Sequence, residues 1–426
     1  MKRRTLITTG IALASATLAT GLPASANEAG SKEQQKPNQR LARKYRFDDP
    51  DMDLFFVAAA GWAPTGGLDL GQVYYVASAI EDGNGDSWMK AFSEYGYTLN
   101  SQADVWKSKG WLREAGEMRM KAFAAYRSAW QFAPPGEVMV RMIMRHKQAF
   151  QQAVQELKLP CTFFRVPYAG KTLPGAYFQN TNPAAPLVVV IGGADTCFED
   201  LYLTLGRNLL ERGYSVALVD LPGQGMTMVD GLHWEVEAEL PIAAVRQYLI
   251  SQFAVQAGRM ALVGLSLGGY FVTRAAAAPG AADQWATVIA STPFSSPAEM
   301  FALSVEAAKV EGQTSKPSPA AMRSRMVSMW KAGTRTPEEF ISRTTRMTAN
   351  PSTVSVPFLS ILGAGDSKVF ARQARQWHDS IASTRKSFVL LDAASGADGH
   401  VQVNNRLRLC QECAGWLDDI FIRRVA

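Results

Sequence analysis

Hydrophobic residues follow two different periods along this chain, and the change comes near residue 160. Before that point, apolar residues recur every three or four positions, which is the period of an amphipathic helix. The spacing predicts one long helix over residues 104–132 and another over 137–157, with Pro134-Pro135-Gly136 between them. Five of the ten tryptophans fall in this part. We therefore predict a helical N-terminal domain over residues 51–158.

After residue 160, short apolar runs alternate with helical segments. Continuous apolar runs are typical of strands that are buried on both faces, and helices between such strands favour a mostly parallel sheet. The predicted strands are residues 162–168, 175–180, 186–191, 214–221, 260–263, 286–290, 356–362 and 388–391. The pattern indicates an α/β fold with a doubly wound sheet over residues 159–426, including a helical insertion at about 298–350.

The first 26 residues have the pattern of an export signal. A basic start, Lys2-Arg3-Arg4, precedes an apolar run, and Ala24-Ser25-Ala26 matches a cleavage site. The paired arginines favour the twin-arginine type of signal. We expect a periplasmic or secreted protein with a flexible leader over residues 27–50. No later segment is apolar for long enough to suggest a membrane span.

Composition and charge narrow the class of protein. The chain has 426 residues, of which 47% are hydrophobic and 19% are charged, as in globular proteins that bury a large core. Removal of the signal would lower the net charge from +6 to +3, because the signal holds three basic residues and no acidic ones. Basic residues do not cluster with aromatic ones, so we expect no nucleic-acid partner.

Four cysteines offer little metal or redox chemistry. Cys410 and Cys413 form a C-x-x-C pair on a predicted helix, without a second pair or neighbouring histidines. Two partly buried thiols are the expected state, and a local redox pair is the alternative. We predict no metal and no cofactor.

The clearest catalytic motif is G-x-S-x-G at residues 264–268. It lies between a predicted strand and an alanine-rich helix over residues 270–278, which is the setting of a nucleophile elbow. The sharp turn needs small neighbours and lifts the hydroxyl of Ser266 above the sheet edge. We predict that Ser266 is a nucleophile and that the N–H of Leu267 stabilises an oxyanion. A structural Gly/Ser turn is the alternative.

A serine nucleophile needs a base and an acid that orients the base. His400 is the expected base, because it lies on a loop after the last predicted strand. Asp366 is the expected acid, because it follows the carboxyl end of a buried strand, where catalytic groups gather. Asp392 and Asp398 are too close to His400 in sequence to be preferred. The remaining histidines, which lack such a loop position, are His146, His233 and His378.

The second oxyanion donor should come from the loop at residues 192–199. Its two glycines allow backbone N–H groups to approach a developing charge. We assign this donor to Gly193 or Ala194. Asp195 and Glu199 are expected to brace the loop, and a solvated turn is the alternative.

These motifs resemble those of the α/β-hydrolases. The resemblance is carried by residues 220–225 (DLPGQG), residues 264–269 (GLSLGG) and Gly399-His400, and it covers residues 160–426. The order Ser266, Asp366, His400 is also the order of that superfamily.

A helical domain ahead of the sheet is similar to one subgroup of these enzymes. The subgroup includes 2,6-dihydroxypseudooxynicotine hydrolase, fungal hydrolases that shorten polyketides, and fermentation–respiration switch proteins. The resemblance implies that the helical domain covers the active site and that a C–C bond next to a ketone, or an ester, is cleaved. It also implies a further acid, and Glu299 lies in roughly the corresponding region.

The sequence therefore favours an exported serine hydrolase that acts on a small molecule, aromatic or bulky and apolar. The alternatives are a catalytically silent hydrolase fold used for binding and a lyase or acyltransferase on the same fold. The sequence leaves a homodimer open.

Overall fold

The computed structural model describes residues 39–302 and 317–422. The predicted export signal at residues 1–26 lies outside these ranges, as do part of the predicted leader and part of the insertion at about 298–350. The described residues belong to one compact unit. None of their helices combines the length and apolar character needed to cross a membrane.

Five helices form the N-terminal part. The first begins where the side chain of Asp49 accepts hydrogen bonds from the N–H groups of Asp51 and Met52, with Pro50 at the first helical position. The five are α1 (Pro50–Ala60), α2 (Leu70–Ala77), α3 (Gly85–Ser108), α4 (Leu112–Ala129) and α5 (Glu137–Glu156).

The prediction of one helix over residues 104–132 is wrong. The chain ends α3 at Ser108 and starts α4 at Leu112. Gly110 between them has φ of 80°, in the left-handed region that glycine adopts without steric cost. The chain reverses there, so α3 and α4 pack against each other and Trp111 is half exposed. In the sequence, Gly110 is a single glycine within an apolar repeat, and this signal is too weak to predict the turn.

The sheet has eight strands in the order β1-β2-β4-β3-β5-β6-β7-β8, and only the pairings of β2 are antiparallel. Every residue of β3 to β7 is buried, as expected for strands covered on both faces. The strands are β1 (Cys161–Tyr168), β2 (Lys171–Phe178), β3 (Leu187–Ile191), β4 (Ser215–Val219), β5 (Met260–Leu265), β6 (Thr287–Ser291), β7 (Phe358–Gly363) and β8 (Lys386–Leu391).

Helices cover both faces of this sheet. One core joins the N-terminal helices to one face, and a second core fills the opposite face. A π-helical turn, Tyr202–Gly206, links the first two of these helices. They are α6 (Phe198–Leu201), α7 (Arg207–Glu211), α8 (Glu239–Gln252), α9 (Leu267–Ala277), α10 (Ala281–Gln284), α11 (Pro319–Ala332), α12 (Pro337–Thr345), α13 (Lys368–Ser380) and α14 (Arg406–Phe421).

Residues 39–49 form an ordered N-terminal strap, so the prediction of a flexible leader up to residue 50 is wrong for this stretch. Leu41 and Phe47 are buried, and the ring of Phe47 lies 5.9 Å from the rings of both Phe56 and Trp88. The carboxylate of Asp53 accepts hydrogen bonds from three successive N–H groups, at residues 45–47. The strap has a polar composition, which is why the sequence did not indicate these contacts.

Phe47→Ala should lower the free energy of unfolding by about 3–5 kcal/mol, because it removes a fully buried ring from the core. Arg43→Ala, an exposed change in the same strap, should alter that free energy by less than about 0.5 kcal/mol. Urea unfolding of both variants measures the difference. A loss below about 1 kcal/mol for Phe47→Ala would contradict the packing of the strap.

Candidate active site

Ser266 occupies a strained turn between β5 and α9. Its φ of 56° and ψ of −121° are unusual for a residue with a side chain. The turn requires glycine on both sides: a Cβ on Gly264 would lie 2.1 Å from the Gly268 carbonyl oxygen, and one on Gly268 would lie 2.3 Å from that of Gly192. The first turn of α9 therefore lies directly against the end of β3.

The structure brings Ser266, His400 and Asp366 together. His400 Nε2 lies 2.8 Å from Ser266 Oγ, and His400 Nδ1 lies 2.6 Å from Asp366 Oδ2. Asp366 and His400 are each 3% exposed, whereas Ser266 is partly exposed. This is the arrangement that a serine nucleophile, its base and the orienting acid require.

Residues that the sequence did not single out hold Asp366 in place. The backbone N–H of Ser367 donates to Asp366 Oδ1 at 2.9 Å, and the hydroxyl of Thr292 donates to Oδ2 at 3.2 Å. Thr292 directly follows β6 and has φ of 63°, a rare and costly conformation for a β-branched residue. This strained backbone conformation places the Thr292 hydroxyl within hydrogen-bonding distance of Asp366.

The ring and backbone of His400 are also fixed. The ring stacks on Phe370, with centroids 5.0 Å apart, and the backbone N–H donates to the carbonyl of Arg40 in the strap at 2.9 Å. Val401 and Gln402 have positive φ, and Gln402 accepts a hydrogen bond from a β6 hydroxyl. The strap therefore contributes to the position of the predicted base.

The loop after β3 lies against Ser266. A Cβ on Gly193 would be 2.9 Å from Ser266 Cβ and 3.4 Å from its Oγ. Among the described residues, the N–H groups of Ala194 and Leu267 have no hydrogen-bond acceptor, so both are available to an oxyanion.

Three buried side chains hold the carbonyl groups of this loop. Gln224 donates to the carbonyls of Gly192 and Gly193, and Lys331 donates to that of Ala194 at 2.6 Å. Arg127 donates to the carbonyl of residue 195. Because these oxygens are engaged by side chains, the peptide groups of the loop have a fixed orientation.

Two cavities meet at Ser266. The smaller, about 80 Å³ and called the small chamber, also contacts His400, Trp62 and Trp88. The larger, about 230 Å³ and called the large chamber, is mostly apolar. Apolar residues of its wall are Phe294, Met300, Phe301, Met329, Phe340 and Phe370.

The N-terminal helices supply part of both chambers. Phe55 of α1 lines both of them, and Trp62, Trp88 and Arg127 line the small chamber. The helical N-terminal part therefore covers the site, as the sequence predicted.

Beneath the loop, His146, Cys197 and Glu199 form a buried cluster whose donor atoms lie close enough to surround an ion. Trp130 Nε1 lies 2.9 Å from His146 Nδ1. An indole can only donate, so Nδ1 accepts and Nε2 of the neutral ring carries the proton. His146 Nε2 lies 3.4 Å from Cys197 Sγ and 3.6 Å from Glu199 Oε2, so its proton faces these two atoms.

Charge also disfavours a metal in this cluster. Lys147 Nζ lies 3.4 Å from Glu199 Oε1. Burial would raise the pKa of Glu199, but Lys147 and His146 hold it below its usual range. Burial lowers the pKa of His146, which keeps the ring neutral. The cluster is suited to bracing the loop rather than to binding a metal.

Several other sequence candidates lie away from the two chambers. Glu299 is half exposed, pairs with Arg372 and lines neither chamber. Asp392 accepts a hydrogen bond from the backbone of Ser395, and Asp398 accepts one from Asn404. Cys410 and Cys413 are buried free thiols, and burial raises the pKa of both. Buried thiols of raised pKa react poorly.

A model of a protein family described as "Serine aminopeptidase, S33" matches residues 181–395, about half of the chain. The chain belongs to this family of α/β-hydrolases. The matched residues include Ser266 and Asp366 and end before His400.

The curated relatives include fungal hydrolases. The chain is 29% identical to Hydrolase acrC of Aspergillus aculeatus over 260 residues, which are 55% of this chain and 61% of that protein. It is 28% identical to Hydrolase LUC6 of a Fusarium species over 252 residues, covering 55% and 59% of the two chains. The chain therefore spans about three fifths of the length of these relatives.

Two solved structures share the fold. The 2,6-dihydroxy-pseudo-oxynicotine hydrolase matches with a TM-score of 0.66 at 20% identity, over 85% of this chain and 95% of that one. AbyA5 matches with a TM-score of 0.53 at 13% identity, over 82% and 98%. Matches of this length extend beyond the sheet into the helical N-terminal part.

Gly193→Ala should slow the reaction of Ser266 with a fluorophosphonate by about 10²- to 10³-fold, as loss of an oxyanion donor does in other enzymes. The new Cβ would lie within 3.1 Å of both Ser266 Cβ and the Leu265 carbonyl oxygen, so the loop must move. Gly415→Ala, where the added Cβ meets no atom within 4 Å, is the matched control. An unchanged labelling rate in Gly193→Ala would contradict this geometry.

Proposed function

We propose that this protein is an exported serine hydrolase that cleaves an ester through an acyl-enzyme. Ser266 is the nucleophile, His400 the general base and Asp366 the orienting acid. The observation that carries the proposal is the unbroken relay of hydrogen bonds, 2.8 Å from Ser266 to His400 and 2.6 Å from His400 to Asp366.

The geometry supports a two-stage mechanism. Asp366 accepts a hydrogen bond from the Nδ1–H of His400, which leaves Nε2 unprotonated and able to take the proton of Ser266 as Oγ attacks the carbonyl carbon. The N–H groups of Leu267 and of Gly193 or Ala194 stabilise the oxyanion. His400 then protonates the departing alcohol, and a water molecule activated in the same way releases the acid.

The two chambers support a substrate with two unequal parts. The reacting carbonyl would lie at Ser266, where the chambers meet, with a bulky apolar or aromatic part in the large chamber and a compact part in the small chamber. Enclosure by the N-terminal helices limits water around the oxyanion, which strengthens its hydrogen bonds.

Ser266→Ala and His400→Ala should each lower kcat/KM for 4-nitrophenyl esters by at least about 10⁴-fold, because triad residues act as a unit. Asp366→Asn should cost about 10⁴-fold through the wrong histidine tautomer. Thermal unfolding of each variant controls for misfolding. Activity of folded Ser266→Ala within tenfold of the wild type would rule out Ser266 as the nucleophile.

A second candidate reaction is hydrolysis of a C–C bond next to a ketone. The position of Asp51 in the large chamber favours this reaction. Such a cleavage needs a proton for the departing carbon. Asp51 lines the large chamber, and burial raises its pKa even though Arg40 lies 2.8 Å away. A buried carboxyl of raised pKa is a suitable proton donor.

Asp51→Asn separates the two reactions. If the C–C reaction is native, this variant should lose 1,3-diketone cleavage by about 10²-fold or more and retain ester hydrolysis within about tenfold. Product analysis by liquid chromatography measures both. Equal losses of activity for the two substrate types would rule out Asp51 as the proton donor.

A further inference from the structure

The small chamber is lined by more cationic than anionic side chains. Three arginines and two aspartates line it, and in addition several of its polar atoms lack a partner. The charged residues are Arg40, Arg127, Asp195, Asp200 and Arg406.

Two of the three arginines have carboxylate partners. Arg127 donates to Asp200 and to Gln131 as well as to the loop carbonyl at residue 195. Arg40 pairs with Asp51 at 2.8 Å. Their charges are therefore compensated within the protein.

Arg406 is different, because it forms no ion pair with any described residue. It is 6% exposed and makes two long hydrogen bonds, to Thr204 Oγ1 at 3.3 Å and to the Ala58 carbonyl at 3.4 Å. Its guanidinium also lies 5.0 Å from the Trp62 ring centroid. Burial lowers the pKa of Arg406 to about 10, so the group remains charged at neutral pH. Asp200 attracts the charge of Arg406 from beyond ion-pair distance, but its carboxylate already pairs with Arg127. A buried charge that lacks a direct partner of its own is costly.

Three residues that line the same chamber each have an unpartnered polar atom. Among the described residues, Arg40 Nε, Arg406 Nε and Asp200 Oδ1 are buried and have no hydrogen-bond partner. Two of these three atoms are donors on cationic groups. The π-helical turn Tyr202–Gly206 brings Thr204 to this wall, and such turns are frequent at functional sites.

We propose that the small chamber is a subsite for a carboxylate group of the substrate and that Arg406 selects it. A guanidinium binds a carboxylate by charge and by directed hydrogen bonds. The chamber has room for roughly five or six water-sized groups, which suits a short chain ending in a carboxylate. The inference rests on the proposed esterase function and gives its substrate class: an ester with an apolar part and a short, anionic part.

The test compares esters that differ by one charge. One pair places the carboxylate on the acyl side, 4-nitrophenyl hemiglutarate against 4-nitrophenyl pentanoate. The other places it on the alcohol side, the phenylacetate ester of glycolate against ethyl phenylacetate. The readout is the ratio of kcat/KM for the anionic ester to that for the neutral one. The ratio should exceed one for the wild type in at least one pair.

Arg406→Gln should lower that ratio by about 10- to 100-fold, the effect expected for a hydrogen bond to a charged group. Arg406→Lys should keep part of the preference for the anionic ester. Arg408→Gln is the matched control, because Arg408 lies two positions along α14, pairs with Glu412 and does not line the chamber. A purely structural role of Arg406 would slow both esters equally, and an unchanged ratio in both pairs would overturn the proposal.

A binding measurement keeps this inference separate from the proposed function. Glutarate should slow fluorophosphonate labelling of the wild-type protein, whereas neutral pentanamide should not. Isothermal titration of Ser266→Ala with glutarate should show binding that Arg406→Gln abolishes in the double variant. Such binding without any ester hydrolysis would reject the esterase and keep the subsite. Hydrolysis of neutral esters without glutarate binding would reject the subsite and keep the esterase.

Discussion

The active-site geometry depends on one close backbone contact, between Gly268 at the start of α9 and the end of β3. A Cβ on Gly268 would lie 2.3 Å from the Gly192 carbonyl oxygen, so no larger residue fits without moving one of the two segments. This contact places the loop after β3 against Ser266, next to the turn that carries Leu267. Without it, the strained turn would present a hydroxyl but not the loop that we propose as part of the oxyanion site.

Buried polar side chains maintain this arrangement from outside the sheet. Gln224, Lys331 and Arg127 come from three separate parts of the chain and hold the carbonyl groups of the loop. Since Arg127 belongs to α4, the N-terminal helices help to position the loop after β3 as well as forming part of the chamber walls. The strap also contacts the site, because the carbonyl oxygen of Arg40 accepts a hydrogen bond from the backbone N–H of His400. The helical part and the sheet part therefore form one functional unit.

The sequence predicted the features that local pattern and motif determine. The eight strands and the glycine-flanked Ser266 follow from apolar runs and turn chemistry within short segments. The structure also places Asp366 and His400, chosen for their positions after strands, within hydrogen-bonding distance in one relay. The break between α3 and α4, the ordered strap and the roles of Thr292 and Phe370 were not predictable, because they depend on contacts between distant segments. The same holds for Arg406, because only the fold shows that this basic residue at the start of α14 is buried.

We propose that Ser266 carries the acyl group during turnover, and trapping of this acyl-enzyme would give the clearest test. A 4-nitrophenyl ester is mixed with the protein, the reaction is quenched with acid within milliseconds, and the proteolytic peptides are analysed by mass spectrometry. We expect an acyl group on Ser266 that forms within the first turnover and is absent from Ser266→Ala. Steady hydrolysis with no acyl group at Ser266, or with the acyl group on another residue, would contradict it.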